Sequence, residues 1–79
     1  MDVKEDVLLD ARGLKCPLPS VKTALALESL SGGGIVKVLV DDPVSNRDLP
    51  QWVRGNGHQV LGMEEKSGYT EIYVKKAGG

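Results

Sequence analysis

The run Ile35–Val40 constrains the fold more than any other segment, because it is rich in β-branched residues and apolar apart from one lysine. Such a run is typical of a central β-strand that is at least partly covered on both faces. A chain of 79 residues has the length of one small domain. We therefore expect residues 1–79 to form a single domain around this strand.

Turn residues and apolar periodicity divide the rest of the chain into strands and helices. The predicted strands cover residues 7–10, 35–41, 58–65 and 69–76, and the predicted helices cover residues 17–31 and 45–56. This order, βαβαββ, with right-handed crossovers places both helices on one face of a four-stranded mixed sheet. The predicted fold class is therefore a two-layer α/β (α+β) sandwich.

The first predicted helix has an apolar stripe with i, i+3, i+7 spacing. The stripe consists of Leu18, Val21 and Leu25 and is widened by Ala24, Leu27 and Leu30. This spacing is typical of the side of a helix that packs on a core.

The second predicted helix begins near Ser45, because Ser45 followed by Asp48 resembles a capping box. Pro50 then falls too deep for the favoured first position, so it should cost a backbone hydrogen bond and distort the first turns. Its buried side is expected to contain Leu49, Trp52 and Val53.

Charge and cysteine content exclude several classes of function. The formal net charge of −1 provides no broad positive field for phosphates, so we expect no direct nucleic-acid partner. The N-terminal apolar run is far too short for a signal peptide or membrane segment. A single cysteine cannot close an internal disulfide, which favours a reducing compartment and a cytoplasmic location. One cysteine and one histidine cannot supply a four-ligand metal site, and no cofactor is expected.

Cys16 is the candidate working residue. Pro17 suits the first position of a helix, which makes Cys16 the N-cap residue and puts its sulfur beside the free amides of the first turn. Those amides and the helix dipole favour a thiolate. The alternative is that Cys16 is a small, buried, inert apolar residue, as free cysteines commonly are.

Six neighbours are candidates for supporting this helix start and the thiolate. They are Arg12, Lys15, Pro17, Leu18, Pro19 and Ser20. The two prolines have no N–H and stiffen the turn, so the leucine and the serine are the expected amide donors to the sulfur. The lysine and the arginine are the candidate cations.

The topology also predicts which residues flank the cysteine. Each crossover helix runs back against the strand before it, so both helix N-termini lie at one edge of the sheet. We expect Asp41, Asp42 and Arg47 at this edge, as candidates for partner docking. The alternative is an ordinary Asp-Pro turn and a surface ion pair. His58 should lie near the opposite edge, so a Cys16–His58 catalytic pair is not expected.

Two sequence elements resemble a known family. Residues 9–19 read LDARGLKCPLP, residues 41–43 read DDP, and residues 47–50 read RDLP. Together they resemble the signature of the TusA/SirA-like sulfur carriers and sulfurtransferases, whose core is Cys-Pro-x-Pro. The resemblance spans about residues 7–76 and shares the βαβαββ layout.

The resemblance implies that Cys16 accepts sulfane sulfur from a donor protein, such as a cysteine desulfurase or a rhodanese-like protein. It also implies that Cys16 holds the sulfur as a persulfide and passes it to an acceptor protein. In the family this serves tRNA thiolation, molybdenum-cofactor metabolism or sulfur oxidation. Leu18 departs from the pattern, because tRNA-thiolating members often have an acidic residue there. The free protein is expected to be a monomer.

Three other functions compete with the sulfur carrier. A non-catalytic regulatory or protein-interaction domain would keep the fold and use the exposed edge only for binding. A small nucleic-acid-binding domain fits the acidic charge balance poorly. A thiol–disulfide oxidoreductase lacks the resolving cysteine of a C-x-x-C arrangement.

Overall fold

The computed structural model describes residues 4–78. The sheet contains β1 (Val7–Asp10), β2 (Ile35–Val40), β3 (Gln59–Lys66) and β4 (Tyr69–Lys75), and the helices are α1 (Leu18–Glu28) and α2 (Pro43–Gly55). The strand order is β1-β2-β4-β3, with β1 and β2 parallel and β4 antiparallel to both of its neighbours. The predicted two-layer sandwich with a mixed sheet is confirmed, and the 35–40 run is an interior strand.

The core lies between the sheet and the two helices. Val36, Val38 and Val40 alternate along β2 and are fully buried on one face. They join one cluster with Leu27 of α1 and with Leu49 and Val53 of α2, so both helices cover the same face. Burying one such side chain contributes about 1.5–3 kcal/mol relative to leaving it in water.

The predicted apolar stripe of α1 faces this core only in part. Leu18, Val21 and Leu25 remain 47%, 49% and 59% exposed, so the prediction is wrong for them. Leu27 is buried and Leu30 packs against the core, as predicted. The buried residues of the helix are Pro19, Thr23 and Leu27.

Thr23 is a polar residue on the buried side of α1. Its hydroxyl donates to the carbonyl oxygen of Pro19 at 2.7 Å, so burial leaves no unpaired hydroxyl. A sequence pattern scores threonine as polar and places it outward. The result is that an apolar surface of α1 is left for solvent or for a partner.

The start of α2 differs from the predicted start near Ser45. Asp42, not Ser45, is the N-cap, and its Oδ2 accepts from the Ser45 amide at 3.1 Å and from the Ser45 hydroxyl at 3.0 Å. Pro43 takes the first helical position, which a residue without an N–H can occupy at no cost. The helix continues through Pro50 to Gly55.

The remaining bounds differ by a few residues. Helix α1 ends at Glu28 rather than at residue 31, because the Ser29 amide and hydroxyl both donate to the Ala26 carbonyl and tighten the last turn. Strand β2 ends at Val40, and β3 is shifted one residue later than predicted. Within residues 4–78, no helix is both long and apolar enough to cross a membrane.

Candidate functional site

Cys16 lies in the segment between β1 and α1, with an exposed side chain. Its prediction as the N-cap is wrong, because Pro17 is the N-cap and α1 begins at Leu18. The Leu18 amide donates to the Lys15 carbonyl at 2.8 Å, so it is not the donor to the sulfur that the sequence predicted. Pro19 occupies the second helical position, where its missing N–H leaves no intrahelical bond unmade. The alternative of a buried, inert cysteine is contradicted by the exposure.

Two aspartates at the end of β2 hold the segment that carries the cysteine. The Cys16 amide donates to Asp42 Oδ2 at 3.2 Å. The Gly13 amide donates to both carboxylate oxygens of Asp41, at 3.0 Å and 3.1 Å. The sequence predicted that Asp41 and Asp42 share an edge with Cys16, and the structure brings them together. Their part in holding the backbone was not predicted.

Asp42 accepts three hydrogen bonds, from the Cys16 amide and from the amide and hydroxyl of Ser45, and these favour its ionised form. Burial raises the pKa of this carboxyl group, but the hydrogen bonds from the Cys16 amide and from Ser45 outweigh it, and the charge of Lys15 adds to their effect. The net shift of the Asp42 pKa is downward. The same carboxylate therefore caps α2 and anchors the cysteine.

Asp48 is the site residue that the sequence missed. Its Oδ2 lies 3.9 Å from Cys16 Sγ, within reach of a weak S–H···O hydrogen bond, and its Oδ1 accepts from Arg47 Nε at 3.3 Å. The sequence treated Asp48 only as a capping or surface residue. Asp48 lies in the second turn of α2, where it reaches the cysteine.

Arg12 has partners other than the sulfur. Its Nε and Nη2 atoms donate to the two carboxylate oxygens of Asp10, each at 2.9 Å. Its guanidinium also lies 5.0 Å from the centroid of the Tyr69 ring. The hydrogen bond from Arg12 lowers the pKa of Asp10 to about 2. Arg12 thus belongs to a surface cluster beyond the end of β1, and its predicted support of the thiolate finds no contact here.

An apolar groove opens beside the cysteine. The groove runs between α1 and α2 and has a volume of about 450 Å³. It is lined by Cys16, Pro17, Ser20, Val21, Ala24, Leu25, Asp48 and Trp52. The exposed stripe of α1 forms one wall, and the half-buried Trp52 contributes to the opposite side and also packs against the core.

His58 lies at the far end of α2, as the topology predicts. Its Nδ1 accepts from the Ala77 amide at 3.0 Å, and its ring centroid is 6.4 Å from that of Trp52. In the part of the chain from residue 4 to residue 78, no three His, Cys, Asp or Glu side chains are grouped closely enough to hold a metal ion.

A small α/β sandwich with one exposed cysteine beside an open groove is the class of domain that the fold and the site define. Comparison with known families then shows to which family the chain belongs. The family profile described as Sulfurtransferase TusA matches residues 7–76. The chain therefore belongs to the TusA family.

Individual relatives agree with this assignment. Sulfur carrier protein TusA of Pseudomonas entomophila is 36% identical over 75 residues, which are 95% of this chain and 94% of that protein. A relative from Aquifex aeolicus is 41% identical over 76 residues, which are 96% of this chain. The match covers only 39% of that protein and 41% of the YrkF relative from Bacillus subtilis, so the chain spans about two fifths of their length.

A solved structure shows the same fold. The crystal structure of a SirA-like protein from Desulfitobacterium hafniense is similar with a TM-score of 0.77 and 35% sequence identity. The similarity covers 92% of this chain and 99% of that one. The fold and the resemblance inferred from residues 9–19 and 41–50 are thus confirmed.

Proposed function

We propose that Cys16 accepts a sulfane sulfur from a donor protein, holds it as a persulfide and passes it to an acceptor protein. The observation that carries this proposal is the exposure of the chain's single cysteine at a loop whose backbone is fixed by carboxylates. A relay cysteine must be reached by at least two different partners. An exposed thiol on a fixed segment meets that requirement.

The sulfur transfer balances without an external oxidant. The Cys16 thiolate attacks the outer sulfur of a donor persulfide, one S–S bond breaks as another forms, and the donor cysteine leaves as a thiolate. The acceptor repeats the same exchange with the Cys16 persulfide. The sulfur is held covalently, so the reaction needs no resident cofactor, and a reducing compartment such as the cytoplasm keeps the thiol available.

Partner docking is proposed for the charged residues around the cysteine. Arg47 has a side chain that is 72% exposed, so it can contact a partner without losing a structural role. Asp41 and Asp42 lie at the same edge but are already bound to the cysteine segment. We therefore assign Arg47 mainly to docking and the two aspartates to both docking and support.

The acceptor pathway is one of three, namely tRNA thiolation, molybdenum-cofactor metabolism or sulfur oxidation. Leu18 lies beside the cysteine and is half exposed, so it contributes an apolar rather than an acidic contact to an acceptor. This difference concerns which acceptor is chosen. It does not touch the exchange at the sulfur atom.

Loading with a cysteine desulfurase and free cysteine tests the proposal. The expected result is a gain of one sulfur atom in the intact mass, reversed by dithiothreitol and absent in Cys16→Ser. If wild-type protein bound the desulfurase but gained no sulfur, the non-catalytic interaction domain would be the better description.

A further inference from the structure

The groove beside Cys16 continues along the whole face between the helices. A second cavity of about 230 Å³ shares Ala24 and Trp52 with the first one. Cys16 lies at one end of the combined space, and His58 and Lys76 lie at the other. We call this space the interhelical groove.

The two ends of the interhelical groove differ in chemistry. His58 Nδ1 accepts the Ala77 amide, so a neutral ring carries its proton on Nε2 and can donate it. Lys76 donates to the Leu30 carbonyl, which leaves two N–H groups of its ammonium. Glu28 is the one carboxylate that lines this second cavity among the described residues. The far end therefore offers mainly hydrogen-bond donors, whereas the walls between the ends are apolar.

The dimensions of the groove fit an extended occupant. Helix α1 has 11 residues, which at 1.5 Å per residue span about 16 Å, the length of about five extended residues. A segment of that length can reach from the cavity of about 450 Å³ beside Cys16 into the cavity of about 230 Å³ at the other end.

We propose that the interhelical groove binds an extended, apolar segment of a partner protein in the sulfur relay. The partner's cysteine faces Cys16, and a carboxylate about four residues further on accepts hydrogen bonds from His58 and Lys76. This inference rests on the proposed function, because it describes how an acceptor is recognised. In the transfer, the partner thiolate attacks the outer sulfur of the Cys16 persulfide, and Cys16 leaves as a thiolate.

A pair of synthetic peptides tests this orientation. The probe is acetyl-Cys-Leu-Ala-Leu-Leu, made once with a free C-terminal carboxylate and once as the amide. Cys16 is first loaded with inorganic polysulfide, and the rate of discharge to each peptide is measured by mass spectrometry. We expect the carboxylate peptide to react about three to ten times faster, as charge-assisted hydrogen bonds to the far end predict.

Variants locate the preference in the groove. Lys76→Gln and His58→Phe should each reduce the ratio between the two peptides, and Glu28→Gln should increase it by removing a like charge. Lys75→Gln, an exposed lysine one residue earlier, is the matched control and should keep the wild-type ratio. Leu25→Ser should slow both peptides equally, because it removes part of the apolar wall.

Discharge of wild-type persulfide to dithiothreitol separates this inference from the proposed function. If that discharge occurs while the two peptides react at equal rates, the groove inference is wrong and the carrier function stands. A carboxylate preference that survives both Lys76→Gln and His58→Phe would also overturn it. So would a dimer at assay concentration in sedimentation, since a second copy would then fill the groove.

Discussion

Cys16 Sγ and Asp48 Oδ2 lie 3.9 Å apart, which places a carboxylate rather than a cation next to the sulfur. This carboxylate can accept a weak hydrogen bond from the Cys16 thiol. Its other oxygen accepts from Arg47 Nε at 3.3 Å. Asp48 therefore connects the sulfur to Arg47, the exposed residue that a docking partner can contact.

Replacing Asp48 by asparagine should make Cys16 more reactive. The amide keeps the shape of the side chain and removes the charge, so alkylation by iodoacetamide at neutral pH should rise about two- to threefold. The effect is modest because the Asp48 side chain is 41% exposed.

Glu65→Gln is the control for this change, because Glu65 is an exposed carboxylate on β3. Its rate of alkylation should match that of the wild type. An Asp48→Asn variant that alkylates at the wild-type rate or more slowly would show that the carboxylate does not act on the sulfur.

Two leucines of α1 should differ sharply in their effect on stability. Leu27 is buried in the core, so Leu27→Ala should lower the free energy of unfolding by about 2–5 kcal/mol. Leu25 is 59% exposed, so Leu25→Ala should change it by less than about 0.5 kcal/mol. Denaturant unfolding of both variants measures the difference. Similar losses would mean that α1 is turned differently.

The contrast between these leucines shows where sequence patterns succeed and fail. Element order and the buried strand β2 could be predicted, because backbone periodicity and crossover handedness leave few choices. The face of α1 that packs on the core could not be predicted, because the helix has apolar residues on more than one side. The side that packs on the core includes Thr23, whose hydroxyl donates to the Pro19 carbonyl, and a hydrophobic pattern does not register that bond.

The residues of the site likewise fall into those that the sequence could place and those that it could not. Cys16, Asp41, Asp42 and Arg47 could be placed at one edge, because the positions of helix N-termini follow from topology. The contact between Asp48 and the sulfur could not be predicted, since it depends on how closely the start of α2 approaches the loop that carries Cys16. Asp42 fixes that approach, because it caps α2 and also accepts the Cys16 amide.

Acid should weaken the fold partly through Asp10. Arg12 lowers the pKa of Asp10 to about 2, from an ordinary value of 3.8. The ion pair thus stabilises the folded state fully above the ordinary value, and this contribution is lost as the pH falls through about 2. Asp10→Asn should therefore lose less stability between about pH 4 and about pH 2 than the wild type.

Thermal unfolding at several pH values across this window measures that effect. Glu65→Gln again serves as the comparison and should follow the wild type more closely than Asp10→Asn does. An Asp10→Asn variant with the full acid dependence of the wild type would contradict a stabilising role for the Asp10–Arg12 pair.

Variants of Asp42 and Arg47 should distinguish support of the cysteine segment from partner docking. Asp42→Ala removes the N-cap of α2 and the partner of the Cys16 amide, so it should cost about 0.5–2 kcal/mol of stability. It should also slow loading by inorganic polysulfide, because the cysteine segment loses an anchor. Arg47→Ala should leave stability and inorganic loading unchanged.

The rate of sulfur transfer from a protein donor should depend on docking at the sheet edge that carries Cys16. Arg47→Ala should reduce the rate of desulfurase-dependent loading about threefold or more, and the loss should shrink at high salt, as expected for a rim charge that steers association. Arg54→Ala removes an exposed arginine from the last turn of α2 and is the matched control. Because Arg54 lies at the opposite end of the helix from the cysteine, its loss should leave transfer unchanged. An equal effect of the two arginines would place the docking surface elsewhere and would leave Arg47 only its contact with Asp48.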